Sequence, residues 1–140
     1  MRVAIIGAGL AGLSCAHELE RYGIRTVIYE KNSFIGEPYP HITAVVNISH
    51  RPIKDSVQYF KKRLNIEVAP LNTIDRLIHH SPNSVSTIEG DLGYVFNYTK
   101  DKNSLKYQIY SRLKKTKILF NEFADYKILS VKYDYVVVAT

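Results

Sequence analysis

The chain opens on an unbroken apolar run, Val3-Ala4-Ile5-Ile6, that stops at Gly7. With no polar alternation, the run predicts a strand buried on both faces, the habit of parallel sheets. From Leu10 to Tyr22 the period changes. Leu13, Ala16 and Leu19 recur at three-residue steps while Cys15, Glu18 and Arg21 fall elsewhere on the wheel, which predicts an amphipathic helix. Gly23 stands where such a helix stops. Arg25-Thr26-Val27-Ile28-Tyr29 predicts a second strand, with Glu30 at its carboxyl end.

The middle of the chain has a different texture. Residues 34–52 hold Gly36, Pro38, Pro40 and Pro52 and read as a loop, with room for a strand over Ile42–Ile48. Val57, Phe60 and Leu64 share a face and predict a short helix over Asp55–Asn65. Residues 66–79 alternate enough for one or two strands. Ser84–Gly90 and Gly93–Tyr98 predict a hairpin that turns around Asp91. A helical stripe returns at Leu105, Ile109 and Leu113, with Ser104 as its predicted cap. Ile118–Asn121 is then the third central strand, and Tyr135-Val136-Val137-Val138 another apolar one.

Between the first strand and the first helix lies Gly7-Ala8-Gly9-Leu10-Ala11-Gly12. Gly7 permits a tight turn out of the strand. Gly9 leaves the backbone without a Cβ, so a diphosphate can approach it, and Gly12 lets the helix pack closely on the strand. The phosphates would meet the free N–H groups and positive end of a helix that begins near Leu10. Glu30 lies at the distance and strand end where a carboxylate takes ribose hydroxyls. Strand, glycine turn, helix and acid come in the order a dinucleotide needs.

Composition narrows the class. With 140 residues, 46% of them hydrophobic, the chain has the size of one domain and ample material for a core. No run approaches eighteen apolar residues and no charged-then-apolar leader precedes the first strand, so neither a membrane span nor a secretory signal is expected. The single cysteine, Cys15, excludes an internal disulfide and suits a reducing cytoplasm. The net charge of +6 raises nucleic acid as a partner. However, Lys61-Lys62-Arg63 and Lys114-Lys115-Thr116-Lys117 sit on amphipathic patterns and read as solvated faces, and no nucleic-acid-binding signature accompanies them. His79-His80 are adjacent and point to opposite sides of a strand, with no second ligand pair at metal spacing, so no metal site is expected.

The stretch from Arg2 to Glu37 resembles the N-terminus of flavoproteins with two dinucleotide-binding domains, the class of FAD-dependent monooxygenases, amine oxidases and geranylgeranyl reductases. Gly7, Gly9, Gly12, Ala16, Leu19, Gly23, Val27 and Glu30 carry the resemblance, and Lys31 and Gly36-Glu37 reinforce it. It implies that Gly9, Leu10 and Ala11 touch the pyrophosphate, Glu30 the adenosine ribose and Lys31 the adenine edge. It also implies a backbone contact to the adenine near Phe123. Asp134–Thr140 is similar to the family's second signature, an apolar strand ending in Ala-Thr-Gly that passes close to the flavin, here Ala139-Thr140. The class of disulfide reductases is disfavoured, because it needs a cysteine pair after the first helix–strand unit. Gly93-Tyr94 and Ser104-Leu105 match geranylgeranyl reductase-like members, but Tyr98 stands where those carry arginine.

The expectation is therefore an α/β chain with a Rossmann-like FAD/NAD(P)-binding three-layer fold: a parallel central sheet, helix packing on one face, and a hairpin or meander inserted at about 38–100. A last apolar strand that leads into nothing predicts a C-terminally incomplete fold, the front part of a longer flavoprotein. The expected function is FAD binding on behalf of a flavin-dependent oxidoreductase, with NAD(P)H as the electron donor and no turnover in this fragment alone. The expected cofactor-binding residues are Gly7, Ala8, Gly9, Leu10, Ala11, Gly12, Glu30, Lys31, Phe123, Ala139 and Thr140. Two alternatives stay open: an NAD(P)-dependent dehydrogenase-type domain, in which Glu30 would repel the 2′-phosphate of NADP, and a non-catalytic nucleotide-binding module.

Overall fold

In the computed structural model, residues 1–37, 41–47 and 53–139 are described. The chain forms two compact units, one of residues 1–38 and 106–140, the other of residues 39–105. Thr140, Ile48, His50 and the prolines at 38, 40 and 52 lie outside the described residues.

The first unit is built on four parallel strands. β1 (Arg2–Ile6) leads through the glycine turn into α1 (Leu10–Arg21), which returns the chain to β2 (Arg25–Glu30). The other two strands of this sheet come late in the chain: β6 (Lys117–Phe120), and β7 (Tyr135–Val138), which follows α4 (Tyr126–Leu129). The order across the sheet is β6-β2-β1-β7, and all three pairings are parallel. Val3, Ala4, Ile5 and Ile28 are buried in it, as the uninterrupted apolar runs require. α1 buries Gly12, Leu13, Ala16 and His17. His17 joins that face because it lies one turn beyond Leu13; Leu19, expected there, is only half-buried.

The segment after α3 (Leu105–Tyr110) is tied to α1 by one side chain. The Glu20 carboxylate accepts the backbone N–H groups of Lys114, Lys115 and Thr116. Burial pushes the Glu20 carboxyl up, yet those backbone donors outweigh it and hold the group below its usual value.

The second unit is an antiparallel sheet in the order β3-β5-β4, from β3 (Ile42–Val46), β4 (Asn72–Ser81) and β5 (Ser84–Asn97). Before β4 runs α2 (Ser56–Tyr59), capped by the Asp55 carboxylate on the Gln58 N–H at 2.9 Å. A single π-helical turn, Phe60–Leu64, continues it and ends at Asn65 with φ +53°. Ile66, Val68, Leu92 and Phe96 are buried in this unit.

The hairpin expected around Asp91 is not formed. The reversal is at Pro82-Asn83, where Ser81 pairs with Ser84, and β5 runs unbroken through Gly90-Asp91. The glycines serve the strand instead of turning it. At Gly93, with φ +157°, a side chain would collide with the Val45 carbonyl oxygen of β3. The ladder with β4 shifts register between Ile74 and Arg76, opposite this kink. The expected Ser104 cap is also absent: its Oγ is buried and has no hydrogen-bond partner among the described residues. The strand pattern over 66–79 is realised only from Asn72, after the left-handed Asn65 and Pro70.

Candidate functional site

Because the four strands of the first unit are parallel, their carboxyl ends lie along one edge. That edge is where open α/β sheets present ligands. Following the strand order, it carries the loop after β6 with Phe123, then Glu30 and Lys31 at the end of β2, the glycine turn after β1, and Ala139 after β7. Neighbouring strands are about 4.8 Å apart, so the row spans roughly 14 Å.

The glycine turn sits at the centre of this row. Gly7, with φ +103°, swings the chain out of β1 and donates its N–H to the Tyr29 carbonyl at 2.8 Å. A Cβ on Gly12 would collide with the Gly7 carbonyl oxygen and lie 3.3 Å from Ile5 Cγ2, so only glycine allows α1 to start this close to β1. Gly9 is the converse: a Cβ there would meet nothing within 4 Å. That open space lies beside the head of α1. The first intrahelical bond runs from the Leu13 N–H to the Gly9 carbonyl at 2.9 Å, and no side chain caps the helix. The amides of Leu10, Ala11 and Gly12 therefore stand outside the helical ladder, with the positive end of the helix dipole behind them.

Glu30 is buried, with 4% of its surface exposed, and its carboxylate is bonded rather than enclosed in apolar surroundings. Oε2 accepts the Ala8 N–H at 2.7 Å and Oε1 accepts the Asn32 N–H at 2.9 Å. Each carboxylate oxygen keeps a second lone pair for another donor. Ala8 is itself fully buried with its N–H committed to Glu30, so it belongs to the site through that carboxylate.

The remaining expected residues fall on the same edge. Lys31 is exposed. Asn121, with φ +58°, donates its N–H to the Asn32 carbonyl, and Glu122 donates to the Glu30 carbonyl at 3.0 Å. These bonds bring the loop of Phe123, a ring 87% exposed, alongside the end of β2. Ala139 donates its N–H to the Ile6 carbonyl at 2.9 Å, next to the turn.

Lys106 was missed by the sequence reading. It is buried, and its Nζ donates to the Glu37 carbonyl at 3.2 Å. Its stem packs on Gly36, where a Cβ would come 3.2 Å from Lys106 Cδ and 3.6 Å from both the Ala8 oxygen and Gly9 Cα. The aliphatic stem of Lys106 thus packs on Gly36, which itself lies against the glycine turn. The signal was present in the pattern, since Lys106 is three residues before Ile109 on the apolar stripe of α3.

The model of the pyridine nucleotide-disulphide oxidoreductase family matches residues 1–140. The chain belongs to this family. Among curated relatives, 36 residues are 56% identical to the 15-cis-phytoene desaturase of Synechococcus elongatus, covering 26% of this chain and 8% of that protein. A geranylgeranyl bacteriochlorophyll reductase-like protein from Thermoplasma acidophilum matches over 86% of this chain and 30% of its own, with 16% identity and a TM-score of 0.58. The structure of CtdE in complex with FAD and a substrate matches over 86% of this chain and 30% of its own, with 20% identity and a TM-score of 0.51. These likenesses bear out the Rossmann-like fold. The matched segments span about a tenth of the length of the curated relatives.

As an oxidoreductase-family dinucleotide domain, the chain has the character expected of the FAD-binding portion of a flavoprotein. The disulfide chemistry in the family's description has no cysteine pair here. Cys15 is the single cysteine of these 140 residues, and burial pushes its thiol up, away from the reactive thiolate.

Proposed function

We propose that this chain binds FAD through its ADP half, on behalf of a flavin-dependent oxidoreductase. The observation that carries the reading is the order of groups along the sheet edge. Phe123 comes first, then the Glu30 carboxylate, then the open space over Gly9 at the head of α1, then Ala139. Adenine, ribose, diphosphate and flavin follow one another in the same order along FAD.

Each group has a defined task. The helix-head amides of Leu10 and Ala11 and the backbone at Gly9 receive the diphosphate. The Lys106 ammonium adds positive charge at the Glu37 carbonyl, and Glu30 uses its spare lone pairs on the ribose hydroxyls. Lys31 and the backbone near Phe123 face the adenine. Thr140 is assigned with Ala139 to the flavin side on sequence alone. The CtdE complex with FAD, similar in fold, supports the choice of FAD. When bound, the flavin supplies the redox chemistry, and the protein positions it.

The electron donor in this reading is NAD(P)H, bound elsewhere than the glycine turn, and the 140-residue chain alone turns over no substrate. The single cysteine fits a reducing cytoplasm. No described helix is long and apolar enough to cross a membrane.

Titration of the purified chain with FAD, ADP, NAD⁺ and NADP⁺ tests the reading. FAD and ADP should bind, and NADP⁺ should not, because its 2′-phosphate would meet the Glu30 carboxylate. Binding of NADP⁺ in preference to FAD, or no binding of FAD and ADP, would overturn it.

A further inference from the structure

We infer that Glu30 is a latch that holds the diphosphate turn in its binding shape, and not only a ribose ligand. The inference rests on the dinucleotide reading above and deepens it. Its basis is that the carboxylate spans two parts of the site. Oε2 holds the Ala8 N–H inside the glycine turn, 22 positions away in sequence, while Oε1 holds the Asn32 N–H at the end of β2.

The turn needs such a hold. Gly7, Ala8 and Gly9 have little side chain with which to pack, and glycine samples more backbone conformations than any other residue. Two successive amides are pinned to β2, that of Gly7 by the Tyr29 carbonyl at 2.8 Å and that of Ala8 by the Glu30 carboxylate. The second bond is charge-assisted and buried, and it is the stronger kind. With Ala8 fixed, the following amides at Leu10 and Ala11 stay aimed at the open space over Gly9, so no ordering cost falls on the ligand.

The two roles of Glu30 predict opposite signs for one measurement. Removing a carboxylate near a bound anion, with no other change, tightens anion binding. Removing a latch weakens it. The test uses the whole chain without cofactor as wild type, Glu30→Gln and Glu30→Asp. Each is titrated separately with inorganic pyrophosphate and with adenosine. Amide exchange is followed at Ala8 and, to monitor the fold, at Ile5 and Ile28.

Both variants should show lower protection at Ala8, Glu30→Gln because its one neutral acceptor oxygen cannot serve the Ala8 and Asn32 amides together. They should keep it at Ile5 and Ile28, and bind pyrophosphate about tenfold more weakly, as expected for a weakened hydrogen bond to a charged group. The aspartate keeps the charge but is one methylene short, so it should not rescue. Unchanged or tighter pyrophosphate binding by Glu30→Gln, or an Ala8 amide as protected in both variants as in wild type, overturns the latch. If Glu30→Gln loses protection throughout, Glu30→Asp decides, and loss throughout there also overturns it in favour of a fold-wide role. The dinucleotide reading fails on a separate result: a wild-type chain that binds neither probe nor FAD, with Ala8 exchange still reporting on the latch.

Discussion

Gly12 lies so close to Gly7 that a single methyl group on its α-carbon would occupy the space of the Gly7 carbonyl oxygen. That oxygen is backbone, at the start of a turn pinned to β2, and cannot swing aside as a side-chain tip would. Gly12→Ala therefore forces α1 away from β1. Overpacking of this kind costs about 1–3 kcal/mol, and the shift is at the site itself. Thermal unfolding should show a midpoint several degrees lower, with FAD binding lost.

Gly9→Ala should behave in the opposite way. Its backbone, with φ −77°, is one that alanine adopts freely, and the added Cβ would meet nothing within 4 Å. Restricting the unfolded chain stabilises by about 0.4–1 kcal/mol at such positions. The methyl group would nevertheless stand in the space assigned to the diphosphate. A chain as stable as wild type or slightly more so, binding FAD at least about tenfold more weakly, is the expected outcome. Equal affinity in calorimetric titration would remove Gly9 from the site.

Lys106→Met keeps an unbranched stem against Gly36 and removes the ammonium from the Glu37 carbonyl. The variant leaves the Glu37 carbonyl without the Lys106 donor, so the melting midpoint should fall by a few degrees. Affinity for FAD and ADP should fall several-fold, and adenosine, which carries no phosphate, should bind as before. An equal loss for adenosine would make Lys106 a general support of the fold.

Glu20 predicts a dependence on pH. Its carboxyl is held below its usual value in the folded state, so its contribution is present above the unfolded value, near 4.5, and is lost as pH falls through the folded one. At pH 7, Glu20→Gln should unfold about 1 kcal/mol more easily, roughly 3–5 °C lower. The gap between wild type and variant should close progressively below about pH 4.5. A gap that stays constant down to pH 3 would mean that the charge of Glu20 has no part in holding residues 114–116.

The features legible in the sequence are those governed by local rules. Val3–Ile6 reads as a doubly buried strand, and Gly7 and Gly12 each stand where the backbone has one particular need. Glu30 was legible as a residue of the edge but not as a partner of Ala8, because that bond depends on how β2 ends beside the turn. Asp91 misled for a related reason. Glycines flanking an acid suggest a reversal, and nothing local reveals that Gly93 is required by the approach of Val45 on another strand. Lys106 was obscured because lysines on helices are commonly solvated, and its burial follows from the fold of Gly36-Glu37 over the turn.

The row of strand ends also has a direction. An extended nucleotide laid backwards along it would bring its phosphates against the Glu30 carboxylate and its sugar over the unpaired amides of α1. Repulsion at one place and unmet donors at the other would both penalise that pose. On the proposed reading the edge would act as an asymmetric ruler, with a single acidic side chain setting its sense.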